Sequence, residues 1–233
     1  MDDILIIDDI LPQQLADQLE NIITNGNFTM MFSNNTAINP DKHTTYLKEH
    51  SGVWDQIKDD GQFVKMIHFN TPMCEKPYVD EEHDQFFNML IWFLIDKHPE
   101  LNIKNLHRCK VNLIFNPNSG DEEKIVTPHV DIERDGYVSM IYYVNDSDGP
   151  TVIYNETCDD AEHGVPLTVR QKVMPRKNRA VVFDSKLYHV AQLPIFNSTR
   201  WIINYILCTN DDFEREYAPE SLELEDELRE VEL

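Results

Sequence analysis

The sequence has few basic residues, no long apolar run and no closely spaced pair of cysteines. Its 233 residues include 20 Lys and Arg against 42 Asp and Glu, which gives a formal net charge of −22. An anionic surface of this size repels phosphate backbones, so a nucleic-acid partner is not expected. The longest aliphatic and aromatic run, residues 89–95, is far shorter than the ~20 residues that a membrane helix needs. No membrane span is therefore expected.

The four cysteines are scattered along the chain and form no C-x-x-C pair: Cys74, Cys109, Cys158 and Cys208. This spacing predicts reduced thiols and argues against a zinc site. The first nine residues carry acids where a signal peptide has a basic region, and they contain only a short apolar run at residues 4–7. These features together predict a soluble, cytoplasmic protein.

The pattern of apolar residues predicts one domain over residues 1–210 and an acidic tail over 211–233. Within the domain, residues 1–105 read as a part with helices and loops, including one helix after Pro12 and another between Asp80 and His98. Residues 27–52 are rich in Asn, Thr and Ser and predict a long loop, either a functional lid or a partly disordered segment.

Residues 106–208 change to short alternating segments, which predict a series of β-strands. The expected strands are 106–115, 123–131, 137–145, 151–154, 165–169, 180–183, 187–191 and 200–208, with an acidic connection at 158–164. Many short strands at regular spacing are typical of a closed or sandwiched β architecture.

A metal-binding pattern lies within these strands. His129 and Asp131 are two residues apart, so on one strand they project from the same face. With His189 they supply two imidazoles and one carboxylate, the facial triad of non-haem Fe(II) oxygenases. Arg200 follows eleven residues later, and a guanidinium binds a carboxylate through two parallel hydrogen bonds.

This ordered set resembles the 2-oxoglutarate/Fe(II)-dependent dioxygenase superfamily, and its surroundings resemble the prolyl-hydroxylase-like branch. Residues 140–145 read MIYYVN where that branch has Tyr-Tyr-Leu-Asn, and residues 148–154 are similar to its Gly-Gly-x-Thr segment. The resemblance covers roughly residues 106–208. It implies a mainly β fold with flanking helices around a double-stranded β-helix, the jelly-roll core shared with cupins.

The resemblance also implies roles for individual residues. His129, Asp131 and His189 would bind Fe(II), and Arg200 with Tyr143 would hold the distal carboxylate of 2-oxoglutarate. Asn112, if it points inward, could contact the keto-acid end of that cosubstrate. The implied reaction uses O2 and 2-oxoglutarate to hydroxylate a C–H bond. Asp131 argues against the halogenating members of the superfamily, which lack this carboxylate ligand.

The substrate stays open at this point. The resemblance suggests a peptidyl residue, with proline first, so the expected partner is a peptide or a small molecule. A free amino acid or another metabolite is an alternative, and so is a nucleobase, although the anionic surface argues against the last. A non-enzymatic jelly-roll module, with the same residues as buried polar groups, is a further alternative because a fold alone does not establish an activity.

Overall fold

The computed structural model describes residues 3–33, 46–57, 62–70, 78–115 and 124–209. No helix in these ranges is both long enough and apolar enough to cross a membrane. The predicted tail at 211–233, residues 34–45 of the loop predicted at 27–52, and Cys74 lie outside the described residues.

Two helices form where the apolar spacing predicts them. Helix α1 (Gln13–Thr24) follows Pro12 and buries Ala16, Leu19 and Ile23. Helix α2 (Asp84–Lys97) has an acid in its first turn and a lysine in its last, as the helix dipole favours. Its buried residues are Phe87, Leu90, Ile91 and Leu94. Both helices therefore present an apolar stripe to the rest of the domain.

Eleven strands run through the described part of the chain. They are β1 (Leu5–Ile7), β2 (Met31–Ser33), β3 (Gln62–Phe69), β4 (Tyr78–Val79), β5 (Asn105–Ile114), β6 (Tyr137–Tyr143), β7 (Thr151–Thr157), β8 (Val169–Val173), β9 (Arg179–Asp184), β10 (Leu187–Ala191) and β11 (Arg200–Cys208). Eight of them form one antiparallel sheet in the order β1-β9-β6-β11-β5-β3-β2, with β4 paired to β3. The other three form a sheet in the order β10-β7-β8.

The two faces of the large sheet have different neighbours. One face packs on α1 and α2 through residues of alternate parity, for example Val111 on β5 and Ile203 on β11. The other face packs on the small sheet, as Ile141 and Ile202 do against Ile153. The alternation of side chains along each strand thus separates a helix-facing core from an interior between two sheets. The mainly β jelly-roll core that the sequence predicted is confirmed.

Four local predictions differ from the structure. The loop predicted at 27–52 contains strand β2 and, at residues 46–49, a helical turn. The strand predicted at 165–169 forms instead at β8, four residues later. Residues 158–164, predicted as a connection, begin with a one-turn helix, α3 (Cys158–Ala161), which Thr157 and Asp160 cap. The strand predicted at 123–131 was wrong as a regular element, because the described residues there make only isolated bridges at Ile125 and His129.

Candidate metal and cosubstrate site

The two histidines of the motif face each other across a backbone bridge. The His129 N–H donates to the His189 carbonyl at 3.0 Å, and the His189 N–H donates to the His129 carbonyl at 2.9 Å. Their rings lie 4.6 Å apart between centroids. This bridge joins the extended segment at 124–131 to β10, which explains how residues 60 positions apart in the chain reach one site.

Backbone carbonyls orient both imidazoles. The Nδ1 atom of His129 lies 3.1 Å from the Thr127 carbonyl, and that of His189 lies 3.1 Å from the Leu187 carbonyl. A carbonyl only accepts, so each Nδ1 carries the proton and each Nε2 keeps a free lone pair. Burial lowers the pKa of His129 to about 3 and also lowers that of His189. Both rings are therefore neutral near pH 7, the form in which imidazole binds a metal.

Asp131 is held by three donors from the large sheet. Its Oδ1 accepts from Arg108 Nη2 at 2.6 Å, and its Oδ2 accepts from Ser139 Oγ at 2.6 Å and from Asn204 Nδ2 at 3.2 Å. Burial alone would raise the pKa of Asp131, but Arg108, the two imidazoles and the Ser139 hydroxyl hold it well below its usual value. The carboxylate is consequently ionised and fixed in orientation.

These three side chains fit one metal ion. Their ligand atoms all lie within 4.8 Å of one another, and His189 Nε2 is 3.5 Å from Asp131 Oδ2. Two neutral imidazoles and one carboxylate are the donor set that suits Fe(II) with open positions. Hydrogen bonds to the outer atoms of metal ligands orient them and tune the metal, and all three ligands have such bonds here.

Arg200 lies buried on the inner face of β11, with 1% of its surface exposed. Its Nε donates to the Gly149 carbonyl at 2.8 Å and its Nη2 donates to Thr151 Oγ1 at 2.7 Å. Its Nη1 is buried and has no hydrogen-bond partner within the described residues. An orphaned guanidinium N–H in a polar pocket fits an incoming carboxylate, as the predicted role requires.

Tyr143 supports this arginine from the next strand. Its ring lies 5.7 Å from the Arg200 guanidinium carbon, and its hydroxyl donates to Thr151 Oγ1 at 2.7 Å. Tyr143 is fully buried and is not among the residues that line the pocket. The structure therefore places the tyrosine beside Arg200, with its hydroxyl on Thr151.

Asn112 points into the pocket from β5, and its Nδ2 donates to Gln62 Oε1 at 2.7 Å. Its Oδ1 is buried without a partner in the described part of the chain. A bare carbonyl oxygen does not attract a carboxylate, since both only accept. Asn112 could contact the keto-acid end of a cosubstrate only through its amide nitrogen, which Gln62 already engages.

One pocket joins the three candidate metal ligands with Arg200 and Asn112. Its polar lining comes from Gln62, Lys110, Asn112, His129, Asp131, Thr151, His189, Arg200 and Asn204. Its apolar lining comes from Ile114, Val126, Ile141, Val190, Ala191 and Ile202. Arg200 thus shares a pocket with the three candidate metal ligands, and Asn204 on the same strand lines it as well.

Several residues of the site carry no motif in the sequence. Arg108 and Ser139 act through contacts with Asp131, and Gln62 reaches Asn112 from a strand 50 residues earlier. The only sequence signal was the alternation along β5, where Arg108 and Asn112 alternate with apolar residues and therefore lie on one face of the strand. The position of a residue along a strand identifies the face on which it lies, but not its partner on another strand.

Comparison with known proteins places this geometry in context. Residues 115–207 match the model of the 2OG-Fe(II) oxygenase superfamily. No curated protein sequence matches the chain. Among solved structures, a prolyl hydroxylase from Trichoplax adhaerens, in complex with a peptide fragment of the hypoxia inducible factor oxygen degradation domain, is similar with a TM-score of 0.54. It is 18% identical, and the match covers 94% of this chain and 87% of that one.

Two further structures share the fold with smaller identity. The non-heme alpha ketoglutarate dependent carbocyclase SnoK from nogalamycin biosynthesis has a TM-score of 0.54 at 8% identity, with 91% of this chain and 85% of that chain covered. HygX from Streptomyces hygroscopicus, solved with nickel and 2-oxoglutarate bound, has a TM-score of 0.50 at 12% identity, with 89% and 83% covered. At these identities the likeness concerns the fold alone.

Proposed function

We propose that this chain, which belongs to the 2OG-Fe(II) oxygenase superfamily, hydroxylates a C–H bond of a peptidyl residue, with proline as the leading candidate. The observation that carries the proposal is the convergence of His129, Asp131 and His189 in the pocket that also contains the buried Arg200. The family uses Fe(II), 2-oxoglutarate and O2, and the residues of this pocket suit that set.

Fe(II) and 2-oxoglutarate, when bound, would supply the oxidation, with O2 providing one oxygen atom to the substrate and one to the succinate that forms together with CO2. The chain's own residues bind, orient and shield. We assign His129 and His189 to the metal through their Nε2 atoms, which the Thr127 and Leu187 carbonyls hold in the correct tautomer. We assign Asp131 as the third ligand, kept ionised beside Arg108.

Arg200 would bind the distal carboxylate of 2-oxoglutarate through its free Nη1, because its Nε and Nη2 are already fixed by Gly149 and Thr151. Tyr143 would position Arg200 through Thr151. Apolar neighbours such as Ile202 would pack along the carbon chain of the cosubstrate and exclude water from the reacting groups.

The likeness to the Trichoplax prolyl hydroxylase, which was solved in complex with a peptide, supports the peptidyl substrate, as does the order of motifs between residues 129 and 200. A small molecule is the second candidate, since SnoK and HygX share the fold. The strongly anionic chain supports neither a nucleic acid nor a methylated base as substrate.

A substrate panel tests the proposal. The Fe(II)-loaded protein would be incubated with 2-oxoglutarate and air, and offered proline-containing peptides, free amino acids and methylated oligonucleotides. We expect a mass gain of one oxygen atom on a peptide, dependent on 2-oxoglutarate and abolished in Asp131→Ala. Hydroxylation of only the free amino acids would move the substrate to the second candidate, and demethylation of only the oligonucleotides would overturn the proposal.

A further inference from the structure

The pocket contains a lysine to which the assignments above give no role. Lys110 lies on the inner face of β5, between Arg108 and Asn112, and lines the pocket together with the three candidate metal ligands. It is in register with Asn204 on β11 and with Met66 on β3. Because Asn204 donates to Asp131, this register places Lys110 at the level of the metal ligands.

Lys110 stands apart from Arg200 in the same pocket. Arg200 pairs with Ile114 across the sheet, four residues from Lys110 along β5, so their backbones are ~13 Å apart. The pocket therefore has one cation near its Gly149 end and another near the metal ligands.

The ammonium of Lys110 has no hydrogen bond or ion pair within the described part of the chain, whereas Arg108 beside it is paired with Asp131 at 2.6 Å. Burial, with Arg108 next, lowers the pKa of Lys110 to about 7, against the opposing effect of Asp131. Lys110 is half-buried, and an unpaired cation that lines a pocket and has a perturbed pKa is a candidate for binding an anionic ligand.

The pocket, once loaded with Fe(II) and 2-oxoglutarate, would carry an excess of positive charge. Arg108 and Asp131 neutralise each other, and a ferrous dication neutralises the two carboxylates of 2-oxoglutarate. Among the charged groups that line the pocket, Arg200 then remains as a positive charge, and Lys110 adds a second one in its protonated form. The loaded pocket is thus cationic although the chain as a whole carries −22. A substrate with a negative group near its reacting carbon would reduce this excess.

We infer that Lys110 binds a carboxylate of the substrate, so that the reacting C–H bond lies beside an acidic group. This inference rests on the proposed function and narrows its substrate class. It fits a free amino acid, the C-terminal residue of a peptide, or a residue next to an acidic side chain. The same ammonium could instead hold the metal-end carboxylate of 2-oxoglutarate, and the experiment below separates these two sources.

The test uses matched acids and amides. The Fe(II)-loaded protein, kept without oxygen and saturated with 2-oxoglutarate, would be titrated by calorimetry with L-proline and L-prolinamide, with N-acetyl-L-proline and its amide, and with proline-containing peptides ending in either group. We expect at least one acid to bind about tenfold or more tightly than its amide. Lys110→Met should reduce this preference below about threefold, and Lys110→Arg should retain it.

A second titration identifies the source of the carboxylate. The affinity for 2-oxoglutarate itself should change by less than about threefold in Lys110→Met. A loss of about tenfold or more would show that Lys110 holds the cosubstrate and would overturn the inference. Equal binding of acids and amides throughout the panel, or a preference that survives in Lys110→Met, would overturn it as well.

These outcomes are separable from failure of the proposed function. Hydroxylation of a neutral, capped proline peptide with no acid preference would reject the role of Lys110 and leave the proposed function standing. A preference for acids that depends on Lys110, found without any oxygen transfer, would support the role of Lys110 and reject the proposed function.

Discussion

Replacing Arg200 with methionine removes the cation that we assign to the distal carboxylate of 2-oxoglutarate. The side chain is 1% exposed, and it uses two of its donor atoms on Gly149 and Thr151, with Nη1 left over. Methionine fills much of the same volume without the charge or the donors. The metal ligands should be unaffected, because no hydrogen bond joins Arg200 to His129, Asp131 or His189 in the structure.

The expected loss of 2-oxoglutarate affinity follows from the burial of the Arg200 side chain. Loss of one partner of a buried, charge-assisted pair costs about 2–5 kcal/mol of binding. At about 1.4 kcal/mol for each factor of ten, the Kd for 2-oxoglutarate should rise between about 30-fold and several thousand-fold. Arg200→Lys keeps the charge but lacks the guanidinium donors that Gly149 and Thr151 hold in place, so its Kd should fall between those of the wild type and Arg200→Met.

Calorimetric titration of 2-oxoglutarate into the Fe(II)-loaded protein without oxygen measures this directly. The surface arginine Arg176, with 58% of its side chain exposed, provides the control variant Arg176→Met, which should bind as the wild type does. Fe(II) content and thermal unfolding of each variant would establish that the fold is intact. A Kd in Arg200→Met within about threefold of the wild type would refute the assignment of this residue.

Three smaller predictions follow from neighbouring contacts. Tyr143→Phe removes the hydrogen bond to Thr151, which is typically worth about 0.5–1.5 kcal/mol, so calorimetry should show 2-oxoglutarate binding weakened by about tenfold or less. An effect as large as that of Arg200→Met would mean that the tyrosine contacts the cosubstrate itself. Ser139→Ala removes a donor from Asp131, so Fe(II) affinity in a competition assay should fall about tenfold or more, and an unchanged affinity would contradict the orienting role. Burial lowers the pKa of His107 to about 4, so the unfolded chain takes up this proton first and the free energy of unfolding falls as pH drops from about 6.5 toward 4. His107→Phe, which keeps the packing on Phe69 and Tyr137, should flatten the pH dependence of thermal unfolding by less than ~1.4 kcal/mol per pH unit. A slope equal to that of the wild type would contradict this prediction.

The sequence predicted the fold well where one apolar period dominated. Strands β10 and β11 formed at the predicted residues, and helices α1 and α2 within a few residues of them. The segment before Asp131 was harder, because alternation predicts an extended chain but not whether its neighbours form a continuous ladder. Here only Ile125 and His129 form bridges.

The site divides along the same line. His129, Asp131, His189 and Arg200 could be recognised because their spacing is local or ordered along the chain. Arg108 and Ser139 could not, since each gains its role from a partner elsewhere in the chain, and register between strands is a tertiary property. The sequence showed Lys110 only as a residue on the same face of β5 as Asn112, and its lack of a partner became evident from the packed pocket.

The central claim is that His129, Asp131 and His189 share one Fe(II) ion. Its most direct test is the metal content of the purified protein after loading with Fe(II) without oxygen and removal of free metal. The wild type should hold one Fe(II) per chain, and so should His98→Ala, whose histidine pairs with Glu100 on the surface. His129→Ala and Asp131→Ala should hold almost none while remaining folded. Full Fe(II) content in either of these two variants would contradict the claim.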